Sequence, residues 1–215
     1  MRVINAICLV PPVFFIFTSC GVVDGEYSNA KGEVLKNTTD LNQFNVVEYN
    51  DRRKIDENYQ GFITDDGAIV EQFGDPVNGY VENRTPKSGY FTKYRKYFPD
   101  GSLNIFGEAY AFGQFKKGVW VEYDEEGTLL SEEDFDTPFT FRFEDVLDYA
   151  KANAIDLKGQ GTTLHRWVDE EDGPVWSLSW NSGDLQGDFF VIRNIKINGL
   201  SGEVTEGQDS QWLDN

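Results

Sequence analysis

The amino-acid sequence predicts an α+β fold: mainly antiparallel strands in stacked hairpins, followed by one helix packed on a small antiparallel sheet. Three observations predict it. Asp-Gly or Glu-Gly turns recur between short apolar and aromatic runs in residues 59–138. Apolar residues near position 143 have helical spacing. Beyond that segment, apolar and polar residues alternate again, as in strands with one buried face.

The first 19 residues predict an export signal. Met1-Arg2 supplies a positive charge, and a mostly apolar run follows over residues 3–17. That run is shorter than the roughly 20 residues that cross a bilayer as a helix, and Pro11-Pro12 would interrupt a helix. Small residues and a cysteine come next, which is typical of a cleaved signal peptide. An ordinary signal peptide with an incidental cysteine is the alternative.

The residues Thr18-Ser19-Cys20-Gly21 resemble the lipobox of bacterial lipoproteins, although Phe17 stands where that family usually has leucine. The resemblance implies cleavage before Cys20, attachment of diacylglycerol and further acyl chains such as palmitate there, and anchoring in the cell envelope. Having Gly21 directly after the cysteine resembles lipoproteins that are sent to the outer membrane. The resemblance implies a location there, with the protein facing either the periplasm or the cell surface. Cys8, the other cysteine, lies in the removed segment, so the mature chain would have no disulfide.

Charge narrows the classes of partner. The chain has 37 acidic and 19 basic residues and a formal net charge of −18. This argues against nucleic acid, because such binding relies on basic surface to displace counterions, and against lying flat on anionic lipid. The acidity serves either solubility or association with a basic protein partner. Residues 20–58 are polar and turn-rich, which predicts a lipidated tether with a first strand pair.

A weak repeat organises residues 59–138. Residues 97–103 (YFPDGSL) recur as 123–129 (YDEEGTL), with a looser copy at 63–69 (ITDDGAI). Each copy has a glycine at a fixed place in the turn, where glycine accepts the positive φ that hairpins require. The segment resembles variant MORN repeats of the YwqK antitoxin type, best over 116–136. The resemblance implies stacked hairpins, and it raises an immunity role that neutralises a toxin.

Residues 139–206 predict a different module, followed by a polar tail over 207–215. Phe143, Val146, Leu147 and Ala150 lie on one helix face, which predicts a helix over residues 143–153. Alternation predicts strands at 163–168, 175–181 and 189–197. A helix followed by a meander ending in INGLSGEV resembles the PepSY-like modules of bacterial exported proteins, with Asn198 in place of the usual acid. The resemblance implies a helix on a small sheet and no chemistry.

The sequence predicts no catalysis, no metal and no cofactor. His165 is the single histidine, and no Gly-x-Ser-x-Gly elbow or nucleotide-binding glycine loop occurs. The acidic run 169–172 lacks the ligand spacing of an EF-hand calcium loop and predicts a solvated turn. A pair of carboxylates acting on glycans remains an alternative, because abundant acids always offer pairs.

One window contrasts with the acidic chain. Between residues 84 and 117, seven basic residues stand against two acidic ones, interleaved with aromatic residues. The candidate binding residues are Tyr90, Lys93, Tyr94, Arg95 and Lys96. Strand alternation places Lys93 and Arg95 on one face, with Tyr94 and Lys96 on the other. The alternative is a two-faced strand with its aromatics buried and its bases in water.

These observations together predict a non-catalytic, lipid-anchored protein of the bacterial envelope that presents a protein- or ligand-binding surface. Its expected partners are the membrane, through the lipid on Cys20, and a protein. An antitoxin-like immunity protein and a glycan-active enzyme are the alternatives. The oligomeric state stays open.

Overall fold

A computed structural model describes residues 25–28, 34–37, 42–113, 115–207 and 209–212. The chain divides into two compact units, Met1–Thr38 and Thr39–Asn215. In the first unit, β1 (Gly25–Ser28) and β2 (Val34–Asn37) form an antiparallel pair. The predicted signal segment and Cys20 lie outside the described residues.

The second unit begins with a helix and an antiparallel meander of seven strands, each paired with the next along the chain. These elements are α1 (Val46–Ile55), β3 (Gly61–Ile63), β4 (Ile69–Asp75), β5 (Gly79–Thr85), β6 (Phe91–Tyr97), β7 (Leu103–Tyr110), β8 (Lys116–Tyr123) and β9 (Leu129–Asp134). We call this meander the large sheet.

A second helix and a smaller antiparallel sheet follow. They comprise α2 (Phe143–Ala152), β10 (Thr163–Asp169), β11 (Gly173–Gln186), β12 (Phe189–Asn198), β13 (Val204–Glu206) and β14 (Ser210–Trp212). Both short strands pair with β12. The predicted fold class is confirmed, and α2 begins and ends within one residue of the predicted helix. Within the described residues, neither helix has the length and hydrophobicity needed to span a bilayer.

The three predicted hairpin turns of the large sheet share one geometry. Gly67, Gly101 and Gly127 have φ of 78°, 91° and 78°. In each turn the glycine N–H donates to the carbonyl three residues earlier, over 2.8–3.0 Å. Asp100 accepts hydrogen bonds from the hydroxyl and backbone N–H of Ser102, which lower the pKa of its carboxyl. The repeat in the sequence therefore corresponds to a repeat of turn geometry.

Helix α1 lies in the segment predicted to hold a tether and first strands, and the sequence analysis missed it. Asn45 caps the helix by accepting a hydrogen bond from the Glu48 N–H at 3.0 Å. Of its ten residues only Tyr49 is buried. A helix with one buried residue has no apolar stripe for periodicity to detect.

An aromatic cluster packs α1 against the large sheet. Phe44 stacks on Tyr80 with ring centroids 4.7 Å apart, and Tyr49 and Tyr97 complete the cluster. The Phe44 N–H donates to the carbonyl of Gly101 at 2.8 Å. The segment before α1 is therefore joined to the turn between β6 and β7 by both a hydrogen bond and ring contacts.

The main hydrophobic core is shared by the large sheet, α2 and the small sheet. Its members include Tyr110 and Phe115 from the large-sheet segment, Phe143, Val146 and Ala150 from α2, and Leu164, Trp176, Leu178, Ile195 and Ile197 from the small sheet. The Tyr110 hydroxyl donates to the Leu157 carbonyl at 2.9 Å inside this core. Residues 59–138 and 139–206, predicted as separate modules, thus share one hydrophobic core.

A buried arginine lies where the two sheets meet. The Arg166 side chain is 5% exposed and pairs with Asp136 at 2.7 Å. Its guanidinium lies 5.0, 4.8 and 5.3 Å from the ring centroids of Phe115, Phe139 and Trp176. It also donates to the carbonyl of Lys116, the first residue of β8. One side chain of β10 thereby connects both sheets and the segment between them.

Replacing Arg166 tests the importance of this contact. Arg166→Ala should lower the free energy of unfolding by about 3–5 kcal/mol, because Asp136 loses its counter-ion in a largely buried site. Urea denaturation measures the change. The matched control is Arg193→Ala, which removes a half-exposed arginine paired with Asp184 at 3.2 Å and should cost less than about 1 kcal/mol. Equal effects of the two substitutions would contradict this assignment.

Candidate ligand-binding groove

The two faces of the large sheet differ in what covers them. The face that carries Tyr80, Arg95, Tyr97 and Tyr110 contacts α1 at one end and α2 at the other, and we call it the helical face. On the opposite face, the open face, the strand side chains are half-buried or exposed. The open face is therefore where a ligand can reach the sheet.

A row of residues crosses the open face from β4 to β7. Strand register places Glu71, Asn83, Tyr94 and Gly107 side by side. The indole of Trp120 lies over Gly107, since a Cβ there would come within 2.2 Å of the ring. That indole stacks on Tyr94 with centroids 5.5 Å apart and an interplanar angle of 25°. Its N–H donates to the Glu108 carbonyl at 3.1 Å, which fixes the ring in place.

The next row of the open face has small side chains and forms the floor of a groove. Thr85, Thr92 and Ala109 are its central members, and the two threonine hydroxyls are hydrogen-bonded at 2.7 Å. The groove has a volume of about 510 Å³. The walls include the Tyr94 ring on one side, and Phe112 and the loop that begins at Pro86 on the other.

Polar groups in the groove are free to bind. Among the described residues, the Glu71 carboxylate, the Asn83 amide and the Tyr94 hydroxyl have no hydrogen-bond partner. Burial raises the pKa of Tyr94 above the ordinary value, so its hydroxyl stays protonated and can donate at neutral pH. The groove thus offers an acceptor, an amide that both donates and accepts, and a hydroxyl.

Charges of both signs lie on the open face. Its lysines are Lys87, Lys96 and Lys116, and its glutamates are Glu71, Glu122 and Glu133. Lys116 holds its ammonium 4.4 Å from the Trp120 ring centroid and 4.5 Å from that of Phe135. Beside the groove wall, the Lys158 ammonium lies 5.4 Å from the Phe112 ring centroid and donates to the Ser88 carbonyl at 3.1 Å. The groove lining itself has one lysine, Lys87, and one carboxylate, Glu71.

The structure divides the five predicted binding residues between different surroundings. Lys93 and Arg95 lie on the helical face, with Tyr94 and Lys96 on the open face, so the predicted alternation is confirmed. Tyr90 precedes β6 and belongs to neither pair of residues. It packs beside Phe143 of the core at a centroid distance of 5.5 Å. The five residues therefore do not form one patch.

Arg95 is the main correction to the predicted site. It is 5% exposed, pairs with Glu82 at 3.2 Å and lies 5.6 Å from the Phe106 ring centroid. A ligand cannot reach it, so it is a structural residue. The alternative, with bases in water and aromatics buried, also fails for this strand, because the arginine points inward and Tyr94 lines the groove.

The polar strand residues of the groove that sequence analysis missed are Glu71, Asn83, Thr85 and Thr92. They lie on three strands, β4, β5 and β6, and only strand register brings them together. Thr92 has a signal in the sequence, since it lies two residues before Tyr94 and therefore on the same face. The others have none before the register is known.

His165 and the acidic run 169–172 lie away from the groove lining. His165 is exposed, on the side of β10 opposite the buried Leu164. Asp169 accepts the N–H groups of Glu171 and Asp172, which lowers the pKa of its carboxyl and closes the turn to β11. In the part of the chain that the structure describes, no three histidine, cysteine or acidic residues are grouped to hold a metal ion.

Comparison of the chain with family models, with curated proteins and with solved structures gave no match in any of the three. The resemblances to lipoproteins, MORN repeats and PepSY-like modules therefore stay predictions, and the groove is interpreted from its own geometry.

Gly107 tests how the aromatic wall is built. Gly107→Ala should cost about 1–3 kcal/mol of unfolding free energy, because the new methyl group displaces the Trp120 ring. Urea denaturation of the two chains measures this difference. In a Trp120→Ala background the same substitution should cost almost nothing, since the clashing ring is gone. An equal cost in both backgrounds would show that the indole is not the obstacle.

Proposed function

We propose that this chain is a non-catalytic, lipid-anchored protein of the bacterial envelope that presents the groove of its large sheet to a ligand. The observation that carries the proposal is the groove itself, where Glu71, Asn83 and Tyr94 are without hydrogen-bond partners in the described structure. Binding sites are commonly preformed concave surfaces that combine apolar walls with a few placed polar groups.

The groove is suited to binding rather than to catalysis. Among its described lining residues, Glu71 is the single carboxylate. Glycoside hydrolysis, the enzymatic alternative, generally uses two carboxyl groups on opposite sides of the scissile bond. The hydroxyls of Thr85 and Thr92 bond to each other and have no base beside them that would activate a nucleophile. Recognition without turnover is therefore the function that this site supports best.

The proposed anchor is the lipid on Cys20. Several acyl chains on one residue give stable residence in a bilayer, whereas a single chain gives only marginal binding. The net charge of −18 disfavours contact of the protein body with anionic headgroups. The lipid would then hold the protein at the membrane while the acidic body stays in the aqueous phase.

An immunity role is the second candidate, and the outer strand of the large sheet supports it. All six residues of β9 are exposed, including Glu132, Glu133 and Asp134. An edge strand has unpaired backbone groups that can accept a strand from another protein, and its acids suit a basic toxin. This surface is separate from the groove, so the two candidate functions can be tested independently.

Photo-crosslinking distinguishes these functions. A photoreactive amino acid at Thr92, in the groove, should yield adducts in intact cells if the groove binds an envelope component. The comparison site is Leu130 on β9, which is 60% exposed. The proposal is supported if repeated experiments give the same kind of adduct at Thr92 and if that adduct disappears in the Asn83→Ala chain. Adducts at Leu130 alone would favour the immunity role, and their absence from Thr92 would reject ligand binding by the groove.

Removal of the thiol at position 20 tests the anchor. Cys20→Ser should move the protein from the membrane to the soluble fraction, because no sulfur remains to carry the diacylglycerol. Cell fractionation and mass analysis of the mature chain measure the outcome. Cys8→Ser is the matched control and should leave the protein at the membrane, since Cys8 lies in the segment to be removed. Membrane retention of the Cys20→Ser protein would refute lipidation there.

A further inference from the structure

We infer that the groove of the open face binds a neutral, hydroxyl-rich glycan chain. This inference rests on the proposed function, because it names the ligand class for the same groove. Three features of the groove support it: the kind of hydrogen-bonding groups it leaves free, the aromatic rings beside them, and the balance of charge around them.

The free polar groups suit hydroxyl ligands. A sugar hydroxyl both donates and accepts, and the Asn83 amide and the Tyr94 hydroxyl do the same. Glu71 adds an acceptor, and strand register places its carboxylate next to Asn83. A carboxylate beside an amide can bind two neighbouring hydroxyls: the carboxylate accepts a hydrogen bond from one, and the amide NH₂ donates a hydrogen bond to the other. The groove therefore matches the alternating donors and acceptors of a sugar ring.

The aromatic walls suit the apolar faces of sugar rings. The C–H bonds on one face of a pyranose carry a partial positive charge, and the face of an aromatic ring is negative. Tyr94 forms one wall, and its ring is held by stacking on Trp120 at 5.5 Å. Phe112 is part of the other wall and is 41% exposed. A ring held in advance loses little conformational freedom on binding.

An extended peptide fits this groove less well than a glycan does. Peptides that bind sheets usually add as a strand at an edge, where backbone groups are unpaired. The groove lies over β4, β5, β6 and β7, which are interior strands of the large sheet with a paired neighbour on each side. The groove therefore offers no sheet edge to which a peptide strand could add. Recognition by side-chain hydroxyl, amide and ring groups is what a glycan needs and what a peptide backbone does not use.

Charge on the open face favours a neutral ligand over an acidic one. The described groove lining has one lysine, Lys87, and one carboxylate, Glu71, and the nearby Lys158 ammonium is bound to the Ser88 carbonyl, so the lining offers no cluster of cations for an anion. The field of the whole chain, with net charge −18, repels polyanions such as acidic polysaccharides. A cationic glycan would be attracted over the entire surface and not to this groove. For a neutral glycan, binding depends on the contacts in the groove and not on the charge of the whole surface.

Native gels that contain polysaccharide test the inference on the full chain in detergent. The neutral probes are dextran, laminarin, galactomannan and xyloglucan, and the acidic probe is polygalacturonate. At least one neutral probe should retard the protein. Tyr94→Ala and Asn83→Ala should each weaken that retardation at least tenfold in the polysaccharide concentration required. Lys93→Ala, which changes the same strand on the helical face, should leave it unchanged.

The outcomes separate the inference from the proposed function. Any of three outcomes would overturn the inference. These are that no neutral probe retards the protein, that polygalacturonate retards it more than the neutral probes do, or that the groove variants are retarded as strongly as the wild-type chain. If protein adducts form at Thr92 while no glycan is bound, the inference fails and the proposed function stands. Urea denaturation must first show that each variant is folded. If Tyr94→Ala is not, Asn83→Ala and Thr92→Ala decide the test, because they remove polar groups at the groove and no core contact.

Discussion

The contact on which the whole second unit depends is the enclosure of Arg166 between the two sheets. A buried guanidinium must be compensated, and Asp136 supplies the charge while three aromatic rings surround the cation. The hydrogen bond to the Lys116 carbonyl joins β10 to the start of β8. Phe115, one of the enclosing residues, lies only three positions from Phe112 in the wall of the groove. Phe115 stacks on Tyr110 with centroids 4.8 Å apart, and Tyr110 lies 5.8 Å from Phe112, so ring contacts connect the arginine site to that wall.

The large sheet assigns opposite tasks to alternate residues of the same strands. On β6, Arg95 and Tyr97 turn to the helical face and are buried, while Thr92 and Tyr94 line the groove. Packing on one face makes the backbone rigid, and a rigid backbone holds groove side chains at fixed separations on the other. Gly107 is where the two requirements meet, because the absence of a side chain there lets the Trp120 ring lie flat behind Tyr94.

Signals within a few residues of each other predicted the fold well. Contacts between residues far apart in the chain could not be predicted from the sequence. The turn glycines and the apolar stripe of α2 are local patterns of a few residues, so the sequence predicted the turns and this helix at the positions where the structure has them. Helix α1 has one buried residue and therefore no detectable period. The sequence predicts Arg95 as a ligand-binding base, because its partner Glu82 lies on the neighbouring strand and only strand register reveals the pair. The groove was missed for the same reason, apart from Tyr94.

The chemistry of the groove and the proposed anchor reinforce each other. A shallow site makes few contacts with any one ligand unit, so its affinity for a single unit is modest. A polymer presents the same unit many times, and a membrane presents many copies of an anchored protein. Binding of the second copy then becomes effectively intramolecular, which raises the overall affinity without any new contact. The proposed lipid anchor and the proposed glycan groove would therefore together hold an extended glycan at a membrane, a task that a single soluble copy would perform poorly.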